Sequence, residues 1–329
     1  MGEAIAALEK VCALQPDDAE ARFDLALALL RDGDFARGWK EFEWRLRHPH
    51  LNLARDFTQP QWRGQDIAGQ TILLHAQGGF GDVLQFVRYA PLVAQRGAKV
   101  LLECKAELVS LLQSVKGVQA VISRGQALPP FDWHSPLPSL PLAFGTSLET
   151  IPADVPYLSP PPPAQALWKQ RVGEGPSFKI GLVWAGRSFQ SNHLQIFAPL
   201  GKIPGVRFFS LQKGPQSVQQ PPAGMDLKDF TADLRDFADT AALIQQMDLV
   251  IGVDTAVVHL AGALAKPVWV LIPCRSDFRW LLDRCDSPWY PTMRLFRQIR
   301  PGDWDTPTAQ MAAALRSKVF PPPGAESGG

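Results

Sequence analysis

Five residues, Gly78-Gly79-Phe80-Gly81-Asp82, form the first group whose types and spacing could do chemistry. Glycines there permit positive φ and let a ligand approach the backbone closely. An apolar run ends just before them and a helical pattern begins just after. Free N–H groups of that helix would favour an anion or oxyanion. The group is not a dinucleotide fingerprint, because the third position after Gly81 is Leu84. Asp82 has two roles open to it. It can cap the first helical turn, or it can act as a general base. A second group, Val253-Asp254-Thr255-Ala256-Val257-Val258-His259, closes an apolar strand and opens a helix. Ligands of open α/β sheets bind at the carboxyl ends of strands. The Thr255 hydroxyl and the N–H groups of residues 255–257 suit a diphosphate, and Asp254 suits sugar or ribose hydroxyls. The plainer roles are helix capping for Asp254 and Thr255 and core packing for His259, one turn further on.

Three other groups carry weaker signals. Within Ser210-Leu211-Gln212-Lys213-Gly214-Pro215, a strand delivers Lys213 to a sheet edge, where it could neutralise phosphate. Loop lysines are commonly exposed without any function. Asp277-Phe278-Arg279-Trp280 offers a base-stacking aromatic and a cation, or simply a structural cluster. Asp303-Trp304-Asp305 looks like a metal-binding DxD pair, but hard-cation sites need several oxygen ligands together. It also lies beyond the last expected strand, so no metal is expected.

The elements that must position these groups follow from hydrophobic periodicity. The first 50 residues read as helices: one carrying Ala4, Ile5, Leu8, Val11 and Leu14, a second over 19–31, and a third over about 35–47. Leu25, Ala26, Ala28, Gly33-Asp34-Phe35, Gly38 and Pro49 fall on the packing and turn positions of a tetratricopeptide (TPR) pattern. Residues 19–49 therefore resemble one whole repeat. Such arrays usually need about three units, so these helices are expected to cap the next domain. The alternatives are further repeats upstream and a peptide-binding role.

From Thr71 strands and helices alternate. Strands are expected at 71–75, 99–103 and 119–122, with helices at 83–95 and 106–115. After the prolines at 160–163, a helix at 165–172 precedes strands at 180–185, 206–211, 248–253 and 268–272, with helices at 238–246 and 256–264. This alternation indicates parallel sheets. The expected fold class is α/β: two Rossmann-like domains facing a cleft, behind a short α-helical TPR segment. The expected domains are 1–55, 65–162 and 163–320.

Bulk properties narrow the function. The chain has 329 residues, 46% hydrophobic and 20% charged, enough for about two domains. Its 33 Lys and Arg nearly balance 32 Asp and Glu, for a net charge of +1. That excludes a strongly basic nucleic-acid binder and disfavours docking on anionic lipid. No apolar run approaches the ~20 residues that span a bilayer, and the N-terminus reads neither as a secretory signal nor as a myristoylation site. Cys12, Cys104, Cys274 and Cys285 form no CxxC pair, so a cytoplasmic protein with idle thiols is expected.

Several stretches together resemble the bacterial glycosyltransferases related to the lipopolysaccharide heptosyltransferases (family 9), in particular a subgroup with preceding TPR repeats. They are Gly81-Asp82-Val83-Leu84-Gln85-Phe86, residues 151–158 (Ile151 to Leu158), Gly181-Leu182-Val183-Trp184-Ala185-Gly186, Asp254 through Leu264, and residues 287–293 (Ser287 to Met293). The resemblance covers residues 71–319. It implies an inverting, metal-independent GT-B transferase with a nucleotide-sugar donor, a glycan or protein acceptor, no cofactor, and Asp82 as the base. On the donor side it implies Asp254 and Thr255; Ala256, Lys213, His259, Trp184 and Arg187 are expected around them. The acceptor is expected near Gly79, Gly81, Gln85, Arg88 and His134. The TPR-like helices would be the surface for a protein partner. One departure stands out: a Lys and an Arg of the family pattern fall on Phe189 and Ile196. Losing leaving-group stabilisation would cost roughly 3 kcal/mol, unless Lys213 or Arg187 compensates. The alternative function is therefore a degenerate transferase fold that binds nucleotide sugar as a scaffold.

Overall fold

The computed structural model describes residues 1–53, 55–186 and 194–320. Two compact units divide the chain: Met1–Leu158 with Ser276–Pro291, and Ser159–Arg275 with the chain from Thr292 onward.

The first unit opens with helices α1 (Gly2–Leu14), α2 (Ala19–Asp32) and α3 (Phe35–Phe42), and a 3-10 turn, Glu43–Leu46, continues α3. Local chemistry sets their ends. Asp18 accepts from the N–H groups of Glu20 and Ala21, and Asp34 accepts from that of Arg37. Gly33 ends α2 at φ 95°, a conformation natural only to glycine. A Cβ at Gly38 would lie 2.6 Å from Leu30, so the small residue lets α3 lie close against α2. These helices are not a free-standing array. Trp39 packs edge-on against Phe86, Phe278 and Trp289, and Phe42 against Phe278. Burying each such phenylalanine contributes roughly 1.5–3 kcal/mol.

A four-stranded parallel sheet follows, built from β1 (Thr71–His75), β2 (Lys99–Cys104), β3 (Val118–Ser123) and β4 (Trp133–Pro136) in the order β3-β2-β1-β4. Its helices are α4 (Phe80–Phe86), α5 (Ala90–Gln95), α6 (Ala106–Leu112) and the short α7 (Leu140–Ala143). The second unit carries α8 (Pro162–Val172) and six parallel strands: β5 (Phe178–Val183), β6 (Val206–Ser210), β7 (Leu227–Asp229), β8 (Leu249–Val253), β9 (Val268–Ile272) and β10 (Met293–Arg297), in the order β10-β9-β8-β5-β6-β7. Helices α9 (Ala198–Gly201), α10 (Phe237–Gln245), α11 (Ala256–Ala263) and α12 (Asp305–Val319) complete it. Strands β8 and β9 are buried at every residue, as parallel strands covered on both faces must be.

Three expectations need correction. The helical segment is part of the first unit, because its aromatic face has no other cover. The second domain is not continuous over 163–320: residues 276–291 return to the first unit, where Phe278, Trp280 and Trp289 are buried. And 268–272 does not close the second sheet, since β10 pairs in parallel outside β9, with Met293 opposite Val268.

Candidate functional site

Each unit has one point where strand order reverses, and in open α/β sheets ligands bind beside the carboxyl ends of strands at such points. In the first unit the reversal lies between β1 and β4. The loop after β1 there is the Gly78–Asp82 group. Gly78 has φ +82°, and a Cβ on it would lie 2.4 Å from Asp82 Oδ2 and 2.8 Å from its Cγ. Only glycine lets the carboxylate fold back over the loop. Asp82 Oδ2 accepts from the Gly79 N–H at 2.6 Å, the capping role that its residue type allows. Its other oxygen, Oδ1, is ion-paired to Arg279 Nη2. Gly79 is the N-cap of α4, and Gly81 lies in its first turn. Asp82 thus caps α4, and its side chain is 28% exposed.

Gln85 is fully buried; its Oε1 accepts from Arg279 Nε, and its Nε2 has no partner among the described residues. An orphaned buried amide is uncommon enough to need a cause. Arg88, expected on the acceptor side, is instead a tie inside the unit. It is 4% exposed, donates to the carbonyls of Gln85, Pro152 and Trp289 and to the Tyr157 hydroxyl, and lies over Tyr157 and Tyr290. A guanidinium so enclosed binds chain to chain rather than acceptor.

His134, on β4, shares a hydrogen bond with His75 of β1, Nδ1 to Nε2 at 3.2 Å. Burial, then His134 and the cations Arg55, Arg124 and Arg45, push the His75 imidazole well below its ordinary range. Burial and then Arg55 lower His134 as well. Beside them, buried Glu103 takes both ends of the Arg55 guanidinium at 2.7 and 3.1 Å. The helical segment also reaches this end of the sheet. Buried Arg45 donates to Gln77 Oε1 at 2.7 Å, to Glu43 Oε1 and Ser139 Oγ at 2.6 Å, and to the Phe42 carbonyl at 3.0 Å. Burial opposes the Glu43 charge, but Arg45, Ser139 and Gln61 outweigh it and hold the carboxyl below its usual range.

In the second unit the order reverses between β5 and β8. The loops after them carry Trp184-Ala185-Gly186 and Asp254-Thr255. They touch: a Cβ on Gly186 would lie 2.6 Å from Thr255 Cγ2 and 3.0 Å from the Asp254 carbonyl. Thr255 is the N-cap of α11, yet its hydroxyl makes no capping bond, and its buried Oγ1 has no partner among the described residues. Ala256 is the first helical residue. His259, 3% exposed, places Nε2 3.7 Å from Asp254 Oδ1, so it backs Asp254 from within the fold.

Other donor-side expectations fare differently. Trp184 is 1% exposed and belongs to the core with Ile180, Phe197 and Leu315, and its indole N–H donates to the Gln216 carbonyl at 3.1 Å. A ring so enclosed cannot stack on a nucleotide base, and neither can Trp280, which is fully buried. Lys213 donates to the Leu234 carbonyl. Arg187, like Phe189, lies outside the described residues. Ile196 packs against the core of the unit, where the family's charge would be out of place. Asp303 accepts from the N–H and hydroxyl of Thr306 at 3.0 and 2.8 Å, an ordinary cap. Among the described residues no group of three or more His, Cys, Asp and Glu is arranged around a metal-sized point, and no helix is long and apolar enough to cross a membrane.

Sequence reasoning gave two positioning residues no role of their own. Gln212 lies within the Ser210–Pro215 stretch, beside Lys213. Its buried Oε1 accepts from the Trp184 and Ala185 N–H groups at 3.1 and 2.8 Å and so fixes the loop after β5. Arg279 reads from the sequence only as a cation near an aromatic. Its partner Asp82 is 197 residues away, a distance at which no spacing rule reports contact.

Comparison with known proteins bears on the fold and the family. The sequence profile of glycosyltransferase family 9 (heptosyltransferase) matches residues 232–271, which run from just before α10 to the end of β9. Protein FlbA of Caulobacter vibrioides is 29% identical over 341 residues, 92% of this chain and 56% of FlbA. The chain thus spans a little over half the length of that curated relative. Among solved structures, the ADP-heptose LPS heptosyltransferase II of E. coli aligns with a TM-score of 0.53 at 13% identity, over 76% of this chain and 98% of that one. A family 9 glycosyl transferase from Veillonella parvula DSM 2008 aligns with a TM-score of 0.52 at 8% identity, over 77% and 91%. At such identities the likeness shows the fold. In its profile match and in its parallel-sheet α/β fold, the chain is similar to the family 9, heptosyltransferase-like glycosyltransferases.

Proposed function

We propose that the protein transfers a sugar from a nucleotide-sugar donor to an acceptor hydroxyl, with inversion and without a metal. The second unit supplies the donor half-site and the first the acceptor half-site. The carrying observation is the Thr255 hydroxyl, buried without a partner among the described residues at the N-terminus of α11, at the point where strand order reverses. A diphosphate oxygen there would accept from Thr255 and from the first N–H groups of α11, and the helix terminus would stabilise the charge that develops as it leaves. Asp254, held by His259, would accept from a donor hydroxyl.

In the first unit Asp82 acts as general base. It takes the proton of the acceptor hydroxyl while the new glycosidic bond forms. The old bond breaks with its electron pair leaving on the diphosphate, so a single displacement inverts the anomeric centre. The acceptor is a glycan or a protein. The helices α1–α3 serve as a cap on the acceptor unit, which their aromatic packing on Phe86 and Phe278 supports. The four cysteines, which form no disulfide among the described residues, fit a reducing, cytoplasmic setting.

One observation favours a second reading, a fold that binds nucleotide sugar without turnover: Ile196 packs against the core and Lys213 is bonded to a carbonyl, so neither position offers a cation to the leaving group. A thermal-shift panel of UDP, ADP, GDP, TDP and CMP tests the donor half-site. A ligand at 100 times its dissociation constant stabilises by about 2.7 kcal/mol. One nucleotide should shift the wild type and fail to shift Asp254→Ala and Thr255→Val. No shift with any of the five refutes the donor assignment. Release of nucleoside diphosphate over many turnovers rejects the scaffold reading.

A further inference from the structure

We propose that Arg279 is the positioning residue for Asp82, supplied to the acceptor half-site by the 276–291 segment. This deepens the base assignment made above and rests on it. The guanidinium reaches three acceptors through three different nitrogens: Nη2 to Asp82 Oδ1, Nε to Gln85 Oε1, and Nη1 to Asp277 Oδ1 at 2.8 Å. A planar fork tied at three points has its orientation fixed. It also lies over the Phe278 ring at 4.6 Å. Asp82 is then held from two sides, by the Gly79 N–H on Oδ2 and by Arg279 on Oδ1. Each carboxylate oxygen keeps a further lone pair, so the carboxylate is oriented yet still able to receive a proton.

Two further features set this apart from a chance surface pair. The segment that carries Arg279 runs directly into Leu281, a buried residue at φ 51° and ψ −164°, a conformation natural to glycine and concentrated at functional positions. Gln85 surrenders its Oε1 to Arg279 while its buried Nε2 goes without a partner among the described residues. Both features are unfavourable in themselves, and both serve the placing of one guanidinium.

Removing Arg279 takes away one of the two ties that hold the Asp82 carboxylate. Asp82 then loses its orientation, which lowers kcat and leaves the donor half-site of the second unit, and so the donor KM, unchanged. A merely structural arginine would not produce that split.

The test uses the full chain and the nucleotide sugar whose nucleotide stabilises it most. Water and a panel of methyl glycosides serve as acceptors, and release of nucleoside diphosphate is followed. Arg279→Gln should lower kcat at least tenfold and change the donor KM less than threefold. Arg279→Lys, which keeps the charge but not the fork, should restore only part of kcat, and it stands in if the glutamine variant fails to fold. Unchanged kcat in both variants, with Asp82→Asn inactive, overturns the positioning role and leaves the base intact. Full transfer by Asp82→Asn overturns the base itself and this inference with it, as does a wild type that turns over no donor.

Discussion

Replacing Gly78 by alanine tests whether the loop after β1 is built around the Asp82 carboxylate. At φ +82° an L-residue is strained by about 1–2 kcal/mol. The new methyl would also sit 2.4 Å from Asp82 Oδ2 and 2.8 Å from Cγ, far inside contact distance, so the carboxylate must swing away. Its bond to the Gly79 N–H would then be lost, at about 1 kcal/mol for an N-terminal cap. The sum is about 2–3 kcal/mol. For a unit of this size that corresponds to a fall in melting temperature of roughly 4–12 °C. Urea unfolding followed by tryptophan fluorescence would read it directly. Gly79→Ala is the control, with extended backbone at φ −82° and a Cβ contact of 3.5 Å; it should cost about 1 kcal/mol or less. In an Asp82→Ala background the clash disappears, so Gly78→Ala should there cost only the backbone strain. Equal destabilisation by the two glycine variants, or no relief in the Asp82→Ala background, would refute the reasoning.

Two further outcomes follow from the buried polar groups of the first unit. Arg45→Met leaves Glu43 without its cation and Gln77 and Ser139 without their donor, and urea unfolding should show a loss of about 3 kcal/mol, partly recovered when Glu43→Gln is added. His75 has a folded pKa below its unfolded value, so its contribution is fully present above about pH 6.5 and is lost as pH falls below that. Stability should drop there by up to about 1.4 kcal/mol per pH unit for this group, and His75→Gln should flatten the slope; a profile unchanged by the variant between pH 7 and 5 would contradict the buried neutral imidazole.

The sequence alone located much of this fold because the signals are local. Short apolar runs rich in β-branched residues, such as Leu249–Val253 and Val268–Ile272, read as strands covered on both faces. Glycines and a carboxylate after β1, and Asp254-Thr255 after β8, sit where strand ends meet helix starts, and that position is readable from period and residue type. Edge strands escaped: Trp133–Pro136 and Leu227–Asp229 are short and partly polar, so they give no alternation to read. Tertiary structure alone decided how the side chains are used. Trp184 and Arg88 carry the composition of binding residues, yet one fills a core and the other ties carbonyls together, because burial depends on what packs over a residue from elsewhere in the chain. The return of 276–291 to the first unit was likewise invisible. It is driven by the packing of Phe278 and Trp289 on Trp39 and Phe86, which no local pattern records, and it brings Arg279 to Asp82 across 197 residues.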